Sequence, residues 1–268
     1  MKMVVNLALL PAVFLAWNVH SESISGKSRA DDSYDAADEF YDPQVMAIAR
    51  ERLQAGHGSQ INSLVIAERL EYRAADSEEA LLWEAQGWRG TDANKIWVKT
   101  EGEYSGSGDA EKVELQLLYS HAVSAFWDVQ AGIRHDLEPT PHRSHLAIGL
   151  QGLAPYWFEM DAALFFSDEG HVTARIEAEY ELFLTQRLIL QPRLEVNLAA
   201  GADREIGIAK GLFDSVAELR LRYEVRREFA PYVGLSWGGD FGATADIVEE
   251  AGGKPREVAF VAGFRIWY

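Results

Sequence analysis

The chain has 268 residues, no cysteine, and 42 acidic against 25 basic residues, for a formal net charge of −17. No disulfide can organise it, and a surface of that sign repels phosphate backbones, which excludes nucleic acid as a partner. The length admits one or two water-soluble domains or a single mid-sized all-β barrel.

In chain order, Lys2 precedes an uncharged apolar run from Val4 to Trp17, and polar residues follow from Asn18. That order is the layout of a secretory leader, and the run is shorter than the roughly 20 residues a membrane-spanning helix needs. Residues 1–21 are therefore assigned as a signal peptide cleaved near Ser21. Residues 22–42 set Asp31, Asp32, Asp35, Asp38, Glu39 and Asp42 among Ser and Ala with no apolar period, which predicts an acidic, disordered tether. Residues 43–62 are read as a short helix and lead-in: Asp42 offers an N-cap, Pro43 suits the first helical position, and Gly56 can stop a helix through Val45, Ile48, Ala49 and Arg52.

Over residues 63–268 the pattern changes to period two. Lys95, Lys99, Glu101 and Glu103 share one face against Ile96, Val98, Thr100 and Tyr104, and Thr173, Arg175, Glu177, Glu179 and Glu181 share one face against Val172, Ala174, Ile176, Ala178, Tyr180 and Leu182. Segments of this kind fall near 63–73, 80–89, 94–104, 111–121, 126–136, 144–153, 156–166, 172–183, 187–198, 216–227, 231–240 and 257–268. The expected fold is all-β: an antiparallel transmembrane barrel of about 12 strands in the outer membrane of a Gram-negative bacterium, behind a short helix and an acidic tether.

With both termini on the periplasmic side, the long connections 137–143, 199–215 and 241–256 face outward. Short ones such as Leu153-Ala-Pro-Tyr156, Leu184-Thr-Gln186 and Glu228-Phe-Ala230 face the periplasm, the usual asymmetry of such barrels. Val258, Phe260, Ala262, Phe264, Ile266 and Tyr268 alternate outward in the last strand, and the chain stops on an aromatic, as terminal strands of outer-membrane proteins commonly do. Trp88, Trp127, Trp157, Trp237, Trp267 and Tyr268 lie near strand ends, where amphipathic rings settle at membrane interfaces.

Several stretches resemble the copper-resistance protein B family of outer-membrane proteins. They are Leu82-Trp-Glu-Ala-Gln-Gly-Trp88, Trp97-Val-Lys-Thr-Glu-Gly-Glu103, Tyr119-Ser-His-Ala-Val123, Phe126-Trp-Asp-Val-Gln-Ala-Gly-Ile-Arg-His-Asp136, Gln151-Gly-Leu-Ala-Pro-Tyr-Trp-Phe-Glu159, Leu184-Thr-Gln-Arg-Leu-Ile-Leu-Gln-Pro-Arg193 and Arg226-Arg-Glu-Phe-Ala-Pro-Tyr-Val-Gly234. The likeness runs from about residue 43 to the C-terminus and keeps the turn sequences in order. It implies a barrel that binds copper ions or passes them across the outer membrane, surrounded by outer-membrane lipid, with a periplasmic copper protein as candidate partner. Family members often carry a Met- and His-rich segment before the barrel. Here Met46 and Met160 are the only methionines beyond the leader, and the matching region is the acidic tether, with His57 as its nearest metal-binding type of residue. Thioether capture of Cu(I) is therefore not expected. Nor is an enzyme: no Gly-x-Ser-x-Gly elbow occurs, and the adjacent Ser144 and His145 point to opposite faces of a strand.

Two groups of residues are candidates for metal. His135 and Asp136, with His142 and His145 across a connection containing Pro139 and Pro141, could collect Cu(II), since imidazole suits that ion and a carboxylate can complete or orient the set. The alternative is ordinary exposed loop histidines, as His121 and His171 are read. The second group is Glu101, Glu103, Glu114, Asp128, Glu159, Asp161, Glu177, Glu179 and Glu181, all on the lumen parity. Carboxylate rings favour cations in a pore. Arg134, Arg175, Arg193, Arg220, Arg222 and Arg265 share that parity, so a salt-bridge filling is an equal reading. A passive, cation-leaning pore without specific copper sites stands as the rival function.

Overall fold

A computed structural model describes residues 36–53, 60–76, 79–106 and 110–268. The leader, its cleavage site, residues 22–35 of the tether and His57 lie outside the described residues. The first unit contains a 3-10 turn, Ala36–Glu39, and helix α1, Pro43–Leu53, reaches its end. The N–H groups of Gln44 and Val45 donate to Asp42 Oδ1 at 2.8 and 3.2 Å, which satisfies two of the donors a helix start leaves open. Arg50 holds the preceding turn to the helix by donating to both carboxylate oxygens of Asp38, at 2.8 and 3.1 Å.

The second unit is a closed barrel. Its segments are β1 (Asn62–Ala75), β2 (Glu79–Gly90), β3 (Asn94–Ser105), β4 (Ala110–Ala122), β5 (Trp127–Glu138), β6 (Arg143–Ala154), β7 (Phe158–Ser167), β8 (Val172–Glu179), β9 (Leu182–Phe183), β10 (Leu188–Ala199), β11 (Gly211–Tyr223), β12 (Phe229–Asp240) and β13 (Arg256–Trp267). β8 and β9 are two pieces of one stave, both paired with β10, so the wall has twelve staves. Each pairs antiparallel with its sequence neighbours, and β1 pairs with β13 to close the ring. Closure leaves no edge unpaired, which is what lets strands cross a bilayer.

Outward residues are apolar and uncovered: Leu115, Leu117 and Tyr119 on β4, and Val258, Phe260, Phe264 and Ile266 on β13, with Phe260 71% exposed. An apolar belt of that extent is stable against lipid, not water.

Three boundaries differ from the sequence reading. The connection expected over 137–143 shrinks to 139–142, because Glu138 still pairs with Val113 and Arg143 already pairs with Asp136. The strand expected over 216–227 runs from Gly211 to Tyr223: Leu212 and Gly211 pair with Leu198 and Ala199, and the Glu224 N–H turns back to the Arg187 carbonyl at 2.8 Å. The alternating charges Glu224 and Arg226 carried the period past the strand's true end. The stave expected over 172–183 is interrupted at Tyr180 and Glu181.

The two long connections that remain, 200–210 and 241–255, leave from the end opposite the chain's entry into the barrel. The second carries helix α2, Gly242–Glu250. They are folded together: Asp203 and Ile208 bridge, and the Ala209 N–H donates to the buried Thr244 Oγ1 at 3.0 Å. From β6, Arg143 reaches Asp203 at 3.3 Å and Glu205 at 2.6 Å, which draws the first connection across that mouth.

Inside, one side of the lumen is packed by Trp97, Leu118, Ala147, Ala163 and Phe165. The rest is a charge network. Arg193 meets Glu177 at 2.6 Å, Glu195 at 2.8 Å and Glu218 at 3.1 Å, and Arg69 joins Glu218 to Glu84. Arg175 links Glu101, Glu114 and Glu195, Arg134 shares Glu114, and Arg220 ties Glu71 to Glu218. A bulge between Ala67 and Arg69 sets the consecutive Glu68 and Arg69 both inside, on Arg265 and Glu84 respectively. Substituting Arg193→Met should therefore cost about 3–5 kcal/mol, the penalty for leaving buried charges unpaired, whereas Arg204→Met in the exposed connection should change stability by no more than about 0.5 kcal/mol. Urea unfolding of the barrel in lipid vesicles measures both, and equal stabilities would show that the network carries no weight.

Candidate functional site

Of the nine carboxylates singled out on the lumen parity, seven are ion-paired. Glu101 holds Lys112 and Arg175, Glu103 holds Arg73, Glu114 holds Arg134 and Arg175, Asp128 holds Lys95, Asp161 holds Lys99, Glu177 holds Arg193, and Glu181 holds Arg222 and Arg265. Glu179 accepts from the Gln191 amide. Glu159, its cross-strand partner, is exposed and makes no ion pair among the described residues. Among those nine, uncompensated negative charge is confined to that pair; the cross-strand Asp214 and Asp240 likewise make no ion pair among the described residues. The Glu159–Glu179 pair borders a cavity of about 340 Å³, lined also by Gln130, Gln151 and Asp161 and reaching Glu114, Arg175 and Arg193 of the network.

Glu114 and Arg222 each retain only 1% of their surface and Phe165 retains 2%, and all three line that same cavity. Arg134 and Arg175 stack their guanidinium carbons 4.6 and 5.7 Å from the Phe165 ring centre, which joins the charged and apolar fillings.

Strand parity divides the four-residue candidate at β5 and β6. Asp136 and His145 face inward: His145 Nε2 lies 3.0 Å from Asp136 Oδ2, and Arg134 donates to the same carboxylate at 2.6 and 3.0 Å. His135 faces outward between the exposed Ile133 and Leu137. Its ring centre is 6.3 Å from that of His142, in the connection 139–142, and its Nδ1 is 3.0 Å from Ser144 Oγ. Successive residues of a strand point to opposite faces, so His135 and Asp136 cannot meet at one ion, and neither can His135 and His145. Among the described residues no three His, Asp or Glu side chains converge closely enough to hold a metal ion.

Two arrangements result. The inner one is a closed Arg–Asp–His cluster whose carboxylate is occupied from both sides. The outer one is a pair of accessible imidazoles; in the tautomer whose Nδ1–H donates to Ser144, His135 keeps its Nε2 lone pair for an external ion.

Glu71, Glu84, Glu195 and Glu218, central to the lumen network, were not singled out from the sequence. The signal for two of them was present: Gln191, Arg193, Glu195 and Asn197 alternate on β10, and Glu218, Arg220 and Arg222 alternate on β11.

Residues 61–268 match the family model described as copper resistance protein B precursor. The chain is 45% identical over 212 residues to copper resistance protein B of Escherichia coli, covering 79% of this chain and 71% of that protein. It is 42% identical over 212 residues to a copper resistance protein B homolog of Pseudomonas syringae pv. tomato, covering 79% and 72%. Among solved structures the NanC porin is similar, with a TM-score of 0.50 at 12% identity over 76% of this chain and 99% of that one, a likeness of fold alone.

Proposed function

This chain belongs to the copper resistance protein B family, and within the copper-resistance role that membership gives it in the outer membrane we propose that it captures Cu(II) at the rim of the barrel, on His135 and His142. The observation that carries the reading is the 6.3 Å separation of the two ring centres on an accessible face. An ion about 2 Å from one nitrogen of each ring fits between them after side-chain rotation. Two imidazoles with open remaining positions suit Cu(II), which also stands highest in affinity among the divalent first-row ions. Cu(I) finds no thioether there, since Met160 begins β7 at the opposite end.

The rival, passive conduction of cations, has the uncompensated Glu159 and Glu179 in its favour and the ion-paired network across the lumen against it.

Calorimetric titration of the purified barrel with Cu(II) at neutral pH tests the site. The His135→Ala, His142→Ala double variant should lose at least tenfold in affinity, His145→Ala should match wild type, and wild-type binding should weaken on acidification because a protonated ring has no lone pair to offer. Unchanged affinity in the double variant would reject the rim pair. Loss in His145→Ala alone would move the site to the inner face.

A further inference from the structure

At the end of the barrel where the chain terminates, the turns 184–187 and 224–228 sit side by side. Both are fixed by their own hydrogen bonds. The N–H groups of Arg187 and Leu188 donate to Thr185 Oγ1 at 3.2 and 2.9 Å, and Arg226 and Phe229 exchange backbone bonds at 3.2 Å. Trp267 Nε1 donates to the Arg227 carbonyl at 2.6 Å. Between the turns lies a concavity of about 560 Å³ whose lining includes Arg187, Arg226, Arg227, Glu224 and Phe183.

The three arginines are exposed, and none makes an ion pair among the described residues. In a chain with 42 acidic residues against 25 basic ones, three guanidiniums facing one carboxylate in one hollow is a local reversal of sign. Glu224 in the hollow and Glu228 in the same turn offset only part of that charge, and a planar fork of donors is the group best matched to phosphate oxygens.

The depth of the hollow identifies the source of the phosphate. Tyr223 ends β11, Phe229 opens β12 and Tyr268 follows β13 on its outward parity, so three aromatic rings mark this end of the wall, as at a membrane interface. The turns lie just beyond them, at the depth of lipid head groups, where basic side chains gain from anionic lipid. We propose that Arg187, Arg226 and Arg227 form a binding site for the phosphate of an anionic phospholipid in the leaflet at this end of the barrel. The site is independent of copper capture.

Native mass spectrometry of the barrel released from micelles containing equal phosphatidylglycerol and phosphatidylcholine of matched acyl chains tests this. Wild type should retain phosphatidylglycerol at least fivefold over phosphatidylcholine. The Arg187→Gln, Arg226→Gln, Arg227→Gln variant should retain both alike, while a heat-dependent gel shift reports that it is folded. Arg89→Gln, an exposed arginine at the same end outside the hollow, should keep the wild-type preference. No preference in wild type, an unchanged preference in the triple variant, or an equal loss in Arg89→Gln would overturn the site. Loss of the wild-type preference in millimolar inorganic phosphate would assign the hollow to free phosphate and overturn the lipid as its source.

Discussion

A twelve-stave barrel that turns its charged faces inward has to neutralise them in a confined interior, and the rest of this structure depends on how it does so. Arg193 stands between Glu177, Glu195 and Glu218, and the ion pairs that radiate from it reach β1, β2, β8, β10 and β11. Burying such groups costs several kcal/mol per ion, and the cost is offset only when every carboxylate finds donors of good geometry. The sequence meets that demand by alternating acids and arginines along neighbouring strands, and by the bulge that brings Glu68 and Arg69 in together. The lumen is thereby part of the packing of the wall. It can anchor twelve strands in register, and we propose that it does not at the same time serve as an open cation path.

Pairing the central charges leaves the available chemistry at the two rims. At one rim, two connections fold over the mouth and leave the short connection 139–142 outside them, with His142 beside His135. At the other, the turns carry arginines that the lumen does not use. The same alternation that directs Asp136 into the network directs His135 away from it, so structural and ligand-binding roles fall on consecutive residues.

Most of the fold was legible in the sequence because period two is imposed by the pleat and needs no tertiary information. The family resemblance was legible through turn sequences, which vary freely unless their geometry is fixed. Strand ends were harder. Glu224-Val-Arg226 continues an alternating pattern into a turn, and only the hydrogen bond from the Glu224 N–H to Arg187 shows that the strand has stopped. The candidate copper group was legible in composition and misassembled in space: proximity along the chain united His135 with Asp136, although the alternation already used for Ser144 and His145 separates them. Which carboxylates stay uncompensated could not be read at all, since the pairing of Glu101 with Lys112 and the isolation of Glu159 depend on partners across the barrel.

The central claim is our proposal that ion pairs and packed side chains close the lumen to ions. The most direct test is single-channel recording of the purified full-length barrel inserted in planar lipid bilayers in molar potassium chloride. A filled lumen predicts insertion without a resolvable stable open level in either voltage polarity. Long-lived openings whose size scales with salt concentration would contradict it and restore the open pore.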